Sequence, residues 1–348
     1  MDTADPPPEP QPVLTPISEA AIFLVLTVQP GAEDAVRDLL GDVRGLQRSV
    51  GFRLPEGELT CVAGIGDALW TRLFGAGGPR PAGLHPFVAL DGPVHRAPST
   101  PGDLLFHLRA HRLDLCFELA QRLLERLRGS ATVVDEVHGF RSFDERDLLG
   151  FVDGTESLAG ARPHDVIIGE EDPAFAGGSY VAVQKYVHDL KRWDAMTVEA
   201  QERTIGRTKL TDIELADDVK APDSHVALTT ITDPDGTERR IVRYNMPFGR
   251  VGAEEFGTYF IGYARTPDVI EQMLRNMFLG TAEAAHDRVL DVSTALTGTL
   301  FFVPTSDFLD DLPDAVPPDI VAVADPAAEP ADPEGSLGIG DLRGPRAP

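Results

Sequence analysis

Residues 103–137 read DLLFHLRAHRLDLCFELAQRLLERLRGSATVVDEV, and this stretch decides the fold. Residues 103–109 are mostly apolar and read as a strand. Leu113, Cys116, Phe117, Ala120, Leu123, Leu124 and Leu127 then recur at helical spacing, with Gly129 as the stop. Residues 132–137 return to a strand. Before this unit, IFLVLTV at 22–28 is a continuous apolar run bounded by Pro30 and Gly31, which predicts a buried strand. Val36, Leu39, Leu40, Val43 and Val50 follow close to helical spacing, although Gly41 and Gly45 weaken that helix. A strand at 59–63, a short helix at 67–74 and a glycine- and proline-rich loop at 75–83 complete the first half.

A comparable alternation recurs later. Strands are expected at 180–186, 241–245, 258–263 and 299–303, with helices at 198–205 and 269–278. Thr266 is the expected N-cap of the last helix and Pro267 its first residue. No exact repeat is present. Two successive β-α-β-type halves nonetheless predict an α+β protein of two ferredoxin-like domains, residues 17–148 and 149–305. Residues 1–16 are acidic and proline-rich and read as a disordered arm. Residues 306–334, rich in Asp, Pro and Ala, read as a disordered linker.

The chain has 348 residues and a net charge of −25. Residues 306–348 contribute −8 and residues 1–16 contribute −3, which leaves −14 for the body. So acidic a body repels phosphate backbones and argues against a nucleic-acid partner. No window approaches 18 uninterrupted apolar residues, so no membrane partner is expected. The N-terminus shows neither a basic segment followed by an apolar one nor a twin arginine, which predicts a cytoplasmic location. Cys61 and Cys116 sit in apolar runs and are expected as buried thiols.

Several short patterns could carry chemistry. His107 and His111 stand four apart, a spacing that can chelate zinc on a helix, but they straddle a strand end and a helix start, and ordinary histidines are the preferred reading. Gly64-Ile65-Gly66 has Leu69 where a dinucleotide loop needs its third glycine, and reads as a turn. In GFVDGTE at 150–156, two glycines bracket Asp153; such a loop can pass close to a flat ligand and aim one carboxylate inward, or be a plain Asp-Gly turn. His225 enters an apolar run, as a core residue or a metal ligand. Arg243 and Asn245 share a face if their segment is a strand, offering a cation and an amide donor where an anion develops.

Taken together these segments resemble the dye-decolorizing peroxidases, most closely the bacterial B-type members. The resemblance runs from about residue 22 to residue 305. It is carried by GFVDGTE at 150–156, GGSYVAVQKYVHDLKRW at 177–193 and QERTIGRTKL at 201–210. SHVALTTI at 224–231, RYNMPFG at 243–249, GTYFIGYAR at 257–265 and DRVLDVSTALTGTLFFVP at 287–304 complete it. It implies two ferredoxin-like domains of the dimeric α+β barrel type with antiparallel sheets, and one haem b per chain held mainly by the second. His225 would be the axial ligand of the haem iron, with Asp287, or Asp291 in its place, accepting from the other ring nitrogen. Asp153, Arg243 and Asn245 would be the catalytic residues facing hydrogen peroxide. Arg207 would bind a haem propionate, and Gly154, Thr155 and Phe260 would touch the haem.

The implied reaction is reduction of hydrogen peroxide coupled to one-electron oxidation of dyes, phenols or a similar small-molecule reductant. The alternative is a haem-binding protein, or one that removes iron from haem, without peroxidase turnover. Trp193, Tyr186, Tyr244, Tyr259 and Tyr263 are candidate surface relays for electrons, with packing as their ordinary role. Glu156 and Glu238 are a candidate cation site, for manganese. The last residues, 335–348, contain GSLGIGDLRG and resemble cargo peptides that dock peroxidases inside encapsulin shells, with Leu337, Ile339 and Leu342 entering pockets. About thirty linker residues would give a reach on the order of 30 Å. A homo-oligomer inside an encapsulin nanocompartment is the expected setting.

Overall fold

A computed structural model describes residues 7–153 and 162–316 of the chain. The first half runs β1 (Ala20–Val28), α1 (Glu33–Gly51), β2 (Thr60–Gly66), α2 (Asp67–Phe74), β3 (Leu90–Asp91), β4 (Arg96–Ala97), β5 (Leu104–Ala110), α3 (Leu113–Arg126) and β6 (Ala131–Phe140). The second half begins with α4 (Pro163–Val166), β7 (Ser179–His188), α5 (Leu190–Asp194), α6 (Val198–Ile205) and α7 (His225–Thr229). Next come β8 (Ile231–Thr232), β9 (Glu238–Arg239), β10 (Val242–Arg243), β11 (Met246–Arg250) and β12 (Glu255–Ala264). It ends with α8 (Asp268–Leu279), β13 (Ser293–Ala295), β14 (Thr299–Val303) and α9 (Ser306–Asp310).

The main strands form one antiparallel sheet in the order β10-β12-β7-β14-β2-β5-β1-β6. Within each half the strand that comes first lies inside, between the third and the fourth, which is the ferredoxin-like arrangement. The halves join where β14 meets β2, at Phe301 opposite Gly66 and Phe302 opposite Ile65. The sheet also curls. Gly139 of β6 faces Met246 of β11 so closely that a Cβ there would lie 2.5 Å from the Met246 Cβ.

Curling explains why β1 carries no polar alternation. Ile22, Leu24, Leu26 and Val28 pack under α1 and α3, while Ala21, Phe23 and Val25 pack against Val181, Val183 and Tyr259 of the other half. A strand buried on both faces reads as an unbroken apolar run.

Five expectations are corrected. The arm, expected disordered through residue 16, is ordered from residue 7. The Gln11 side chain donates to the carbonyls of Ala63 and Pro304, 2.9 Å each, and accepts from the Ala63 amide at 2.8 Å. Pro304 has no N–H, so the β14–β2 ladder stops short there, and one amide side chain satisfies the groups left over. The linker likewise starts late: Leu309 of α9 is buried, and Val316 N donates to Phe74 O at 3.0 Å.

On α3 the buried face is Leu115, Cys116, Leu119, Ala120 and Leu123, while Leu113 and Phe117 are exposed. The apolar residues there are numerous enough to draw two overlapping stripes, and packing chose between them. The strand expected at 241–245 pairs only through β10, because the Asn245 side chain takes the Ile261 amide in place of a ladder bond, at 3.2 Å. Pro267 is the N-cap of α8, one residue on from the expected Thr266. Among the described residues no helix is long and apolar enough to cross a membrane.

Candidate active site

A cavity of about 730 Å³ opens in the second half, lined by residues between Asp147 and Ser293. Its volume lies within the range of small-molecule and cofactor pockets, about 300–1,000 Å³. His225, Asp153, Arg243, Asn245, Arg207, Phe260 and Glu238, all named from the sequence, line it together.

His225 opens the single turn of α7. Its Nδ1 lies 2.7 Å from Asp287 Oδ2, and the other carboxylate oxygen accepts from the Val289 amide at 2.9 Å. Asp287 is wholly buried. Both of its oxygens are used, so the carboxylate is fixed and the ring orientation with it. With an ionised Asp287, the proton of a neutral His225 resides on Nδ1, and Nε2 keeps its lone pair as a ligand. Asp291, the other candidate for this role, instead meets His95 and His286.

Asp153 follows a turn that the sequence builds carefully. The Asp147 amide donates to the Phe151 carbonyl at 2.8 Å, the Gly150 amide donates to the Asp147 carbonyl at 3.1 Å, and the Phe151 amide donates to Asp147 Oδ1 at 2.9 Å. Gly150 has a φ of +87°, a left-handed conformation that favours glycine there, and the Lys209 side chain lies over it. Trp193 anchors the turn by donating to Leu149 O at 2.9 Å. Asn245 Nδ2 donates to both Asp153 oxygens, at 3.0 and 3.3 Å, and is itself oriented by the Ile261 amide. Arg243 is held in β10 opposite Gly262, and its side chain makes no hydrogen bond or ion pair with any described residue. Its charge is committed to the cavity.

The family comparisons bear on both halves. Residues 10–141 match the family described as Dyp-type peroxidase, N-terminal, and residues 144–308 match Dyp-type peroxidase, C-terminal. The chain belongs to the Dyp-type peroxidase family.

A dye-decolorizing peroxidase of Mycolicibacterium paratuberculosis is 61% identical over 340 residues, 97% of this chain and 94% of that protein. The encapsulated DyP-type peroxidase from Mycobacterium smegmatis superposes with a TM-score of 0.87 at 59% identity, covering 89% of this chain and 100% of that one. A variant of DypB from Rhodococcus jostii in complex with heme and a DypB variant in complex with manganese each have a TM-score of 0.84 at 55% identity, covering 87% of this chain and 99% of theirs.

Haem is the cofactor of this Dyp-type peroxidase, and the donor set fits it. A histidine whose second nitrogen is tied to a buried carboxylate is the ligation that haem iron takes in peroxidases. Arg207 reaches the cavity wall with its guanidinium held by Asp212, 2.8 Å from Nε to Oδ1 and 2.7 Å from Nη2 to the carbonyl. Phe260 packs on the same wall. Glu238 lies there too, donated to by Arg240 at 2.9 Å. Gly154, Thr155 and Glu156 lie outside the described residues, as do Leu337, Ile339 and Leu342.

The candidate relays are corrected: Trp193, Tyr186, Tyr244, Tyr259 and Tyr263 are all buried, so none is a surface aromatic. His107 and His111 do not converge either. His107 is buried against the Tyr263 hydroxyl at 2.9 Å, and His111 pairs with Glu58. The two cysteines are buried and free, and burial pushes both thiols up to about 12.

Two lining residues escaped the sequence reading. His188 has both ring nitrogens engaged, by Ser293 at 2.8 Å and Thr258 at 2.9 Å, and burial lowers it to about 4. Asp147 is raised to about 7, by burial first and then by the charge of Asp153. The signal was a carboxylate three residues before a turn glycine, too common to single out.

Asp147 carries a pH prediction. Folding raises its pKa, so the folded chain holds this proton where the unfolded chain has lost it. Stability therefore falls as pH rises from about 4 to about 7 and levels off above. Asp147→Asn keeps an acceptor for the Phe151 amide and removes the titration. In urea unfolding it should gain on the order of 4 kcal/mol on wild type between pH 4 and pH 8. A difference that does not change with pH would sink this account.

Proposed function

We propose that this enzyme reduces hydrogen peroxide at a haem ligated by His225 and oxidises dyes, phenols or similar donors in one-electron steps. The observation that carries the reading is the pairing of two differently built acid sites at one cavity: Asp287 locked onto the lining residue His225, and Asp153 locked onto Asn245 beside Arg243, whose side chain has no partner among the described residues. A protein that only bound haem would need the first and not the second.

Haem, when bound, supplies the iron that accepts electrons from the donor and gives them to peroxide. The residues do the rest. Asp287 keeps a proton on His225 Nδ1 and gives the ring partial anionic character. Asp153 takes a proton from peroxide and returns one to the leaving oxygen. Asn245 holds that carboxylate in place. Arg243 balances negative charge as it develops and never gives up its own proton. Stopped-flow mixing of the haem-loaded protein with one equivalent of peroxide should produce a transient change in the haem spectrum that a phenolic donor reverses. A static spectrum would favour the haem-storage or iron-removal alternative instead.

Glu156 and Glu238 remain the proposed place for a manganese donor, and of the two Glu238 lines the cavity. We propose further that residues 335–348 dock the enzyme inside an encapsulin shell, through Leu337, Ile339 and Leu342. Support comes from the apolar end on an acidic, proline-rich tether and from the likeness to a peroxidase that is encapsulated. Deleting 335–348 should abolish co-purification with co-expressed shells while leaving peroxidase turnover unchanged. Equal shell loading with and without the tail would defeat the docking role.

A further inference from the structure

Outside the haem cavity, three side chains from distant parts of the chain converge. His95 lies in the turn between β3 and β4, which the Gly92 amide closes by donating to the His95 carbonyl at 3.0 Å. His286 ends the loop after α8, and Asp291 closes the 3-10 turn that follows it, Arg288–Asp291. The two imidazole rings stand 4.7 Å apart, edge to face. Each directs Nε2 at the same oxygen, Asp291 Oδ1, at 3.1 and 3.2 Å. The three ligand atoms lie within 4.8 Å of one another, at partly buried positions.

We propose that His95, His286 and Asp291 form a site for a first-row divalent cation of the zinc class, which clamps the β3–β4 hairpin of the first half to the turn beside Asp287 in the second. Two distances already match. Metal–ligand bonds of about 2.0–2.2 Å in a tetrahedron put neighbouring ligand atoms about 3.3 Å apart. Both Nε2–Oδ1 separations are that close, so a cation would replace two hydrogen bonds to one oxygen with coordinate bonds along the same directions. Closing the site needs the two imidazoles to draw together, and His95 rides on a hairpin of two-residue strands.

The donor set selects the metal. Two imidazoles and one carboxylate oxygen suit zinc or its first-row neighbours, whereas calcium and magnesium take oxygen ligands in greater number. Three protein ligands leave a fourth position for water. The net charge of −25 attracts cations generally. The site also has a structural reason to matter. His286 adjoins Asp287, and Asp291 lies on the turn whose Val289 amide holds the Asp287 carboxylate. A metal there stiffens the segment that orients His225.

The haem-loaded, EDTA-treated enzyme would be equilibrated with zinc ions, desalted, and measured for zinc and iron together by elemental mass spectrometry. Wild type should keep one zinc per chain, and His95→Gln and His286→Gln should each lose it with iron content unchanged. Zinc should also raise the melting temperature of wild type by a few degrees at a hundredfold excess over Kd, and should leave His95→Gln unmoved. His95 lies far along the chain from the haem-supporting turn, so its variant tests the site even if His286→Gln folds poorly. Absence of retained zinc in wild type, or equal retention in His95→Gln, would overturn the proposal.

Discussion

His225→Ala is expected to lower peroxidase turnover by more than about 100-fold and to change the spectrum of the bound haem. The cavity offers no substitute among its described residues. The other imidazole on its wall, His188, is bound at both nitrogens by Ser293 and Thr258. The variant also leaves Asp287 buried with one oxygen unpaired, which costs about 1–3 kcal/mol of stability. His225→Gln separates the two effects, because a glutamine amide can donate to Asp287 but makes a poor iron ligand. Both variants should lose turnover, and only the alanine should melt markedly earlier. Added imidazole should restore part of the ligation in the alanine variant. Wild-type spectra and rates in both would remove His225 from the role of ligand.

Arg243→Leu is expected to slow the reaction with peroxide by about 10²–10³-fold, while the resting haem spectrum stays that of wild type. The reasoning is electrostatic. Arg243 has no anionic partner among the described residues, so its field is spent on whatever occupies the cavity. Leucine replaces the cation with an apolar group of smaller volume, so the fold need not suffer. Asn245→Ala should cost less, because it loosens Asp153 without removing a charge. The rate constant for peroxide in stopped flow distinguishes them. An unchanged constant in Arg243→Leu would mean that Asp153 alone handles the charge.

The sequence was sufficient for the periodic and the chemical parts. Helical spacing marked α1 through Val36, Leu39, Leu40, Val43 and Val50, all of them buried, because an amphipathic face is a local property. The ranges of α2, α6 and β14 were likewise legible. The order of Asp153, His225, Arg243 and Asn245 in motifs of a known family pointed to one site, and the structure brings all four to one cavity. What resisted were features decided by partners remote in the chain. Gln11 looked like part of a polar arm, yet it completes the seam between β2 and β14. Leu113 and Phe117 looked as buried as Cys116 and Leu123, and only the angle at which α3 lies on the sheet exposes them.

By itself, then, the sequence determined two ferredoxin-like halves, because spacing is written along the chain, and through its resemblance to a known family it pointed to the side chains that could do peroxidase chemistry. Tertiary structure decided the pairings. Residues 225 and 287 become one unit through a 2.7 Å contact, and Asn245 holds Asp153 instead of continuing a strand. His95, in the first half, joins His286 and Asp291 in the second. Short-range forces need atoms within a few ångströms, and for residues scores of positions apart that closeness exists only after β14 has joined β2 and the sheet has curled.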